Sequence, residues 1–382
     1  MLVVDREAEA GGIPRHSDHT GYGMRDLRTV LRGPVYARRL VDRATDAGAD
    51  LRTSTMITGW GEGLSCDATS PAGRLRIEPR AVLLATGARE RPRSARLVPG
   101  DRPAGVLTTG ELQNRVHLHH ERVGERAVVV GAELVSWSAV LTLRDAGCRT
   151  VLMTTTHPQA EAYRALSLGG RTLLDGPLAR STRVTRVNGR ERVTSVEIEH
   201  LPTGRRRTIA CDTVVFTGDW IPDNELARAA GIAIDPASRA PIVDMALRTM
   251  RDGVFAAGNL VHPVDTADVA SLDGAHVADA IRRWLDGDSV PAPMLRLRAA
   301  APFHWVTPSV VRADGAAPAR DRLLLWSDVS RALPVVEVRQ GDAAWRRRIT
   351  WPLAPGRMFR LPWSICDRVD PAGGDVTIGL AS

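Results

Sequence analysis

Apolar and polar positions over the first 115 residues predict short strands separated by helices. Leu2 to Val4 form an apolar run that ends in Asp5, which is typical of a short buried strand. Residues 34–47 repeat apolar side chains at helical spacing. Further strands are predicted at 51–55, 75–77 and 81–85. The run 81–85 is apolar throughout, which predicts a strand in the middle of a sheet.

A second strand–helix–strand unit begins at Ala127. An apolar strand is predicted over 127–130, Gly131 begins a turn, and 134–146 fit a helix. Further β-prone runs lie at 150–153, 184–187, 193–198, 213–216 and 242–258. A helix is then predicted from about Thr266 to Trp284.

The composition changes after a polar, proline-containing joint at 286–293. Five of the nine tryptophans lie beyond it, among short β-prone runs that proline and glycine interrupt. This pattern predicts a small all-β module. The predicted fold class is therefore α/β, with two Rossmann-like three-layer dinucleotide-binding domains, the second inserted in the first. The predicted domains are 1–115 with 223–286, then 116–222, then the β module at 287–382.

The charged residues and cysteines exclude several function classes. The chain has 51 basic and 44 acidic residues, and every basic residue is arginine. Without lysine it cannot form the Schiff base of the usual pyridoxal-phosphate chemistry. The arginine runs at 205–207 and 346–348 are interpreted as solvated faces, so no nucleic-acid partner is expected. No C-x-x-C joins the four cysteines, which argues against a redox disulfide or an iron–sulfur cluster: Cys66, Cys148, Cys211 and Cys366.

Unpaired cysteines, together with the lack of a signal-peptide pattern or a long apolar span, predict a cytoplasmic protein with no membrane span.

Two strand-end motifs point to a bound cofactor. The first runs from Val82 to Gly87, where Thr-Gly ends a strand and lets the backbone approach a ligand closely. The second runs from Gly253 to Asn259, where a strand ends on glycine beside a polar side chain. The predicted helix at Thr266 would direct its positive amino end at a developing anion. Each motif alone also fits an ordinary strand that ends in glycine.

In their order, these motifs resemble the FAD/NAD(P)-dependent pyridine nucleotide-disulfide oxidoreductase-like flavoproteins, over about residues 1–286. The branch that looks most similar contains the larger subunits of opine oxidase, hydrogen cyanide synthase and dye-linked proline dehydrogenase. The resemblance implies FAD, with Asp5 on the adenosine ribose. It also implies cofactor contacts for these residues: Gly11, Gly12, Thr86, Gly87, Gly258, Asn259 and Thr266. Asn259 stands where the family usually has aspartate, and its amide can still bond a ribityl hydroxyl.

The family's leading G-x-G-x-x-G unit, which binds the pyrophosphate, would precede Leu2 and is not found there. Two explanations are open. Either the true start lies upstream, or the chain binds FAD weakly. We favour the first explanation, because Asp5 would otherwise have no ligand to bind.

The inserted domain departs from the nicotinamide-binding pattern. Its turn reads Gly131 to Ser136, and Glu133 replaces the middle glycine, where its carboxylate would repel a pyrophosphate. The next strand ends in Thr154 to His157, without the acid that would bind the NAD ribose or the arginine that would bind the NADP phosphate. We therefore expect this degenerate nicotinamide site to bind NAD(P) weakly or not at all.

Catalytic residues are harder to assign. His16 and His19 follow the glycine pair and are weak acid–base candidates, although exposed loop histidines are the commoner case. No metal site is expected from the histidines at 117, 119 and 120. Asp265 and Asp268 are interpreted as helix caps.

The leading hypothesis is an FAD-dependent oxidoreductase that passes a hydride from a small-molecule substrate, such as an amine or a hydroxy acid, to an acceptor or partner subunit. One alternative is a non-catalytic or regulatory subunit. The other is an NAD(P)H-dependent flavin reductase, which requires that Glu133 be tolerated.

Overall fold

The computed structural model describes residues 1–163 and 169–381. Its first part holds four strands around one helix, with a short 3-10 turn at Ile13–His16: β1 (Leu2–Val4), β2 (Thr20–Tyr22), β3 (Leu31–Arg32), α1 (Gly33–Asp46) and β4 (Asp50–Arg52). β1 and β4 pair in parallel, and β2 and β3 pair antiparallel. Helix α1 agrees with the helix predicted at 34–47, and it buries Tyr36 and Ala37.

An antiparallel sheet and two short strands follow: β5 (Met56–Trp60), β6 (Cys66–Ser70), β7 (Gly73–Ile77), β8 (Val82–Leu84) and β9 (Ala88–Glu90). β8 pairs in parallel with β19 (Val254–Ala256). The prediction of a central strand at 81–85 was wrong in one respect. Within the described residues β8 has only this one neighbour, and Leu83 is 39% exposed.

The inserted part is built on a parallel sheet in the order β10, β17, β11, β12, β13, followed by an antiparallel meander of β14, β15 and β16. Its elements are β10 (Val106–Thr108), α2 (Thr109–Gln113), a π-helical turn (Asn114–Leu118), β11 (Arg126–Val130), α3 (Leu134–Asp145), β12 (Arg149–Thr154), a 3-10 turn (Gly170–Leu173), β13 (Leu178–Ala179), β14 (Thr182–Asn188), β15 (Ser195–His200), β16 (Arg205–Ala210) and β17 (Thr213–Phe216). β11 is covered on both faces, because Val129 packs in one core and Val128 in another.

The chain then returns to the first part through β18 (Trp220–Pro222), α4 (Glu225–Ala229), β19, a 3-10 turn (Gly258–Leu260) and α5 (Ala267–Leu285). β18 pairs antiparallel with β9. Helix α5 agrees with the prediction to within one residue at each end. Residues 242–253 were predicted as strand but form turns and isolated bridges. Their backbone N–H groups bond nearby side chains, as the Ala246 N–H bonds the Asp244 carboxylate.

The C-terminal module is all-β, as predicted. A five-stranded sheet in the order β22, β20, β27, β24, β25 packs against a three-stranded sheet in the order β21, β23, β26 over one apolar core. The strands are β20 (Pro293–Ala299), β21 (Phe303–Thr307), β22 (Val310–Arg312), β23 (Arg322–Ser327), β24 (Val335–Gln340), β25 (Ala343–Arg348), β26 (Phe359–Pro362) and β27 (Val376–Leu380), with 3-10 turns at Ala319–Asp321 and Trp363–Cys366.

None of the helices in the described part of the chain combines the length and hydropathy that a membrane crossing needs.

A buried ion network connects this module to residues 244–248. Asp244 is 1% exposed and accepts hydrogen bonds from the guanidinium groups of Arg248 and Arg312. Arg248 also pairs with Asp314. The Asp244 carboxylate accepts two backbone N–H groups as well, from Ala246 and Arg248, both at 3.0 Å. Such a network fixes the module because a buried charge that loses its partner is costly.

We predict that Asp244→Ala lowers the free energy of unfolding by about 3–5 kcal/mol, since it leaves two buried guanidinium groups without their shared carboxylate. Urea denaturation measures the change. The matched control is Asp375→Ala, whose partner Arg298 is 61% exposed and whose loss should cost about 0–1 kcal/mol. Equal effects of the two substitutions would show that the Asp244 network is not structurally important.

Candidate functional site

Two strand ends come together at one edge of the β8–β19 pair. The register sets Ala256 opposite Leu84, and the Ala257 N–H donates to the Leu84 carbonyl at 3.1 Å. Because the strands run parallel, the residues that follow them emerge side by side. The structure therefore brings together the two motifs found in the sequence, Thr86-Gly87 and Gly258-Asn259.

The first strand end is held open. Gly87 has a φ of +76°, and no atom lies within 4 Å of where a Cβ would stand. The Thr86 hydroxyl donates to the Asp223 carbonyl at 2.7 Å, and the Asp223 N–H donates to the Gly87 carbonyl at 2.9 Å. Two hydrogen bonds thus fix this turn while its glycine faces open space, as close approach of a ligand requires.

The second strand end carries an unsatisfied acceptor. Gly258 has a φ of +67°, and a Cβ there would lie 3.1 Å from the Ala270 side chain. The Asn259 Nδ2 donates to the Asp265 carbonyl at 3.0 Å, but its buried Oδ1 has no partner. A buried acceptor without a donor is costly. A ligand hydroxyl would satisfy it, so this site fits the ribityl chain of FAD.

The amino end of α5 lies beside Asn259. Thr266 is the N-cap residue, and its backbone N–H donates to Asp265 Oδ1 at 3.1 Å. Asp265 pairs with Arg360, and Asp268 pairs with Arg25 at 3.2 Å. Neither aspartate is the N-cap residue, so their interpretation as helix caps was wrong. Arginines from elsewhere in the chain pair with them instead.

A buried histidine behind this edge gave no signal in the sequence. His262 is 2% exposed and its Nε2 bonds Asp273, whose carboxylate also accepts the Gly258 N–H at 3.3 Å and Arg320 at 2.6 Å. Burial opposes ionisation of both groups. The pairing outweighs it, raising the pKa of His262 and lowering the pKa of Asp273, which has Arg320 as a further partner. Asp273 thus links the Gly258 turn to Arg320 of the C-terminal module.

The predicted adenosine end lies on the separate β1–β4 pair. Asp5 follows β1, its N–H donates to the Arg52 carbonyl, and its Oδ1 accepts the Glu7 N–H, both at 2.9 Å. Gly11 packs on α1, because a Cβ there would lie 3.0 Å from the Ala37 side chain. Gly12 has a φ of +60° and faces open space. That these residues bind the cofactor stays a prediction.

The two weak catalytic candidates differ in their surroundings. His16 is buried, so its interpretation as an exposed loop residue was wrong. Burial, with Arg15 and His117 nearby, lowers the pKa of His16 to about 4. His19 is half-buried, and its Nδ1 bonds the Thr20 carbonyl at 2.8 Å. Its Nε2 lies 3.1 Å from the Ser17 hydroxyl, so neutral His19 carries its proton on Nδ1 and keeps a basic Nε2.

Within the described residues no three histidine, cysteine or acidic side chains are arranged to hold a metal ion.

The degenerate nicotinamide site is packed with side chains. Gly131 has a φ of +134°, and a Cβ there would lie 2.0 Å from Thr217 Oγ1. Ser136 Oγ accepts the Glu133 N–H at 3.1 Å and lies 2.6 Å from the same threonine hydroxyl. The Glu133 carboxyl rests on Gly218, where a Cβ would come within 1.6 Å of it. Burial, and then Glu161, raise the pKa of Glu133 to about 8.

We predict that stability falls as pH rises from about 4.5 to about 8, because folded Glu133 keeps a proton that the unfolded chain releases. Glu133→Gln should therefore raise Tm more at the upper end of this range than at the lower. The control is the exposed Glu78→Gln. The other groups that act on Glu133 stay in place: Glu161, Arg96, Glu90 and Asp219. An equal Tm shift at both ends would contradict the prediction.

Comparison with known proteins adds the family. The model of the pyridine nucleotide-disulphide oxidoreductases matches residues 53–274. Thioredoxin reductase of Treponema pallidum is 26% identical over 299 residues, which cover 75% of this chain and 89% of that one. An opine oxidase subunit of Agrobacterium tumefaciens is 28% identical over 317 residues, covering 73% of this chain and 58% of the relative.

Solved structures agree on the fold. Thioredoxin reductase of T. acidophilum superposes with a TM-score of 0.61 at 19% identity, covering 75% of this chain and 90% of the other. L-proline dehydrogenase of P. horikoshii gives a TM-score of 0.55 at 16% identity, covering 76% of this chain and 51% of the other. These similarities confirm the α/β dinucleotide-binding architecture.

Proposed function

The chain belongs to the pyridine nucleotide-disulphide oxidoreductase family, and from that premise we propose that it oxidises a small amine or hydroxy acid and passes the electrons to a non-nicotinamide acceptor. That the chain is an FAD-dependent oxidoreductase follows from the family and from relatives such as the thioredoxin reductases. The substrate class and the acceptor are the parts proposed here.

The observation that carries the proposal is the shared edge of β8 and β19. Thr86-Gly87 and Gly258-Asn259 follow the two strands at this edge, and the buried Asn259 Oδ1 has no hydrogen-bond donor within the chain. When bound, FAD supplies two-electron hydride chemistry. The residues of this chain would hold it. Asn259 would lie at the ribityl hydroxyls, and the amino end of α5, which begins after Thr266, would lie toward the edge of the ring where negative charge develops.

A nicotinamide donor or acceptor fits the inserted part poorly. Glu133 is the N-cap residue of α3, and its buried side chain, with Glu161 nearby, takes the place at the amino end of the helix that a pyrophosphate would need. Within the described residues all four cysteines are buried and unpaired, which also disfavours disulfide reduction. A protein partner or another acceptor is therefore favoured, in keeping with the opine oxidase relative, which is named as one subunit of its enzyme.

His16 and His19 are the two candidates for a proton acceptor from the substrate. His19 is the better of the two candidates, since the Thr20 carbonyl fixes its tautomer and leaves Nε2 basic. His16 is held neutral in a buried place.

The direct test is an anaerobic titration of the flavin-loaded protein. Small amines, amino acids and hydroxy acids are added one at a time, and the visible flavin absorbance is followed. We expect bleaching by at least one of these compounds and none by NADH or NADPH. Rapid bleaching by either nicotinamide would instead support an NAD(P)H-dependent flavin reductase.

We further predict that Asn259→Leu weakens FAD binding about tenfold, because it removes a buried acceptor worth roughly 1.4 kcal/mol. Asn259→Asp is the matched variant, since it keeps an acceptor at the same place and should retain affinity. The dissociation constant from flavin fluorescence quenching measures both. Unchanged affinity in Asn259→Leu would remove this residue from the site.

A further inference from the structure

The C-terminal module contacts the turn at 131–136 of the inserted part, where Glu133 replaces a glycine of the nucleotide-binding pattern. The segment 354–358, here called the C-terminal strap, passes over Glu133 and Glu161. A Cβ on Gly356 would lie 2.6 Å from the Glu161 Cβ and 3.2 Å from the Glu133 Cβ, and Gly356 has a φ of +69°. Only glycine therefore fits at this point of the strap.

The strap covers the turn at 131–136, at the amino end of α3. Glu133 is the residue directly before α3, and the Ala162 N–H donates to the Ala132 carbonyl at 3.0 Å, which fixes the second acidic segment to the turn. The Arg357 guanidinium stacks on the Tyr163 ring, 4.9 Å from its centre. Consecutive strap residues thus contact both Glu133, at the amino end of α3, and the acidic segment at 161–163.

The strap is anchored from the other side as well. Met358 is buried against Trp305 and Leu324, and two residues further on Arg360 pairs with the buried Asp265 before α5. The strap and Arg360, in the strand that follows it, thus connect the inserted part with the beginning of α5.

We propose that the dinucleotide cleft of the inserted part is a docking surface for the chain's own C-terminal strap, which occupies the place of a nicotinamide pyrophosphate. Glu133 then has two effects. It replaces the middle glycine of the nucleotide-binding turn, and it contacts the strap. The packing supports this, because the cleft is filled by backbone that leaves no room for a Cβ. The inference is independent of the flavin site and of the substrate.

Hydrogen–deuterium exchange of the full-length protein tests the docking. Gly356→Ala should increase exchange about tenfold or more at 131–136 and in the strap, because the added methyl group forces the two surfaces apart. Gly341→Ala is the matched control, since it has a φ of +54° in the same module and nothing within 4 Å. Arg357→Ala, a milder change that removes the contact with Tyr163, should increase exchange at the same places. Exchange at 131–136 that stays at the control level in both strap variants would overturn the proposal.

Isothermal titration calorimetry with ADP tests whether the strap blocks nucleotide binding to the inserted part. We expect no measurable binding to the wild type and weak binding to Glu133→Gly, where Arg357 on Tyr163 still holds the strap. The double variant Glu133→Gly/Gly356→Ala should bind at least about tenfold more tightly than Glu133→Gly. Equal affinity of the single and double variants, or no ADP binding to either, would overturn the blocking role.

Discussion

Three buried aspartates near the beginning of α5 hold the molecule together. Asp265, Asp268 and Asp273 each have a side chain that is 2% exposed. A carboxylate so buried must be paired, since an uncompensated charge in the interior costs several kcal/mol. Their partners come from distant parts of the chain: Arg360 and Arg320 from the C-terminal module and Arg25 from the N-terminal segment. The beginning of one helix thereby fixes two distant regions of the chain, the C-terminal module and the N-terminal segment.

That place is the edge where β8 and β19 end. Asp273 accepts the Gly258 N–H, and Asp265 offers its carbonyl to Asn259, so the ion pairs also position the turn that faces the candidate cofactor groove. Because each aspartate has its own arginine, the amino end of α5 is not neutralised by bare carboxylates and can still favour a developing anion. Positioning of the site and docking of the C-terminal module are parts of one arrangement.

Local patterns in the sequence predicted the elements that have local causes. The apolar run before Thr86, the strand that ends before Gly258 and the helix that begins after Thr266 were all found, because the ends of strands and helices depend on neighbouring residues. The substitution at Glu133 was visible as a departure from a short motif.

Long-range features gave no such signal. Arg25 and Asp268 are 243 residues apart, and no pattern in either segment indicates that they pair. β5 and β6 were missed because polar and small residues such as Thr58 and Asp67 interrupt them. The burial of His16 and the strap over Glu133 depend on segments packing from elsewhere, which only the assembled fold shows.

The central claim is that the two strand ends form one flavin groove, and a crystal structure of the protein with FAD tests it most directly. The account predicts that the cofactor crosses the carboxyl ends of β8 and β19, with a ribityl hydroxyl within hydrogen-bond distance of Asn259 Oδ1. FAD bound elsewhere, for example against the turn at Gly131, would contradict it.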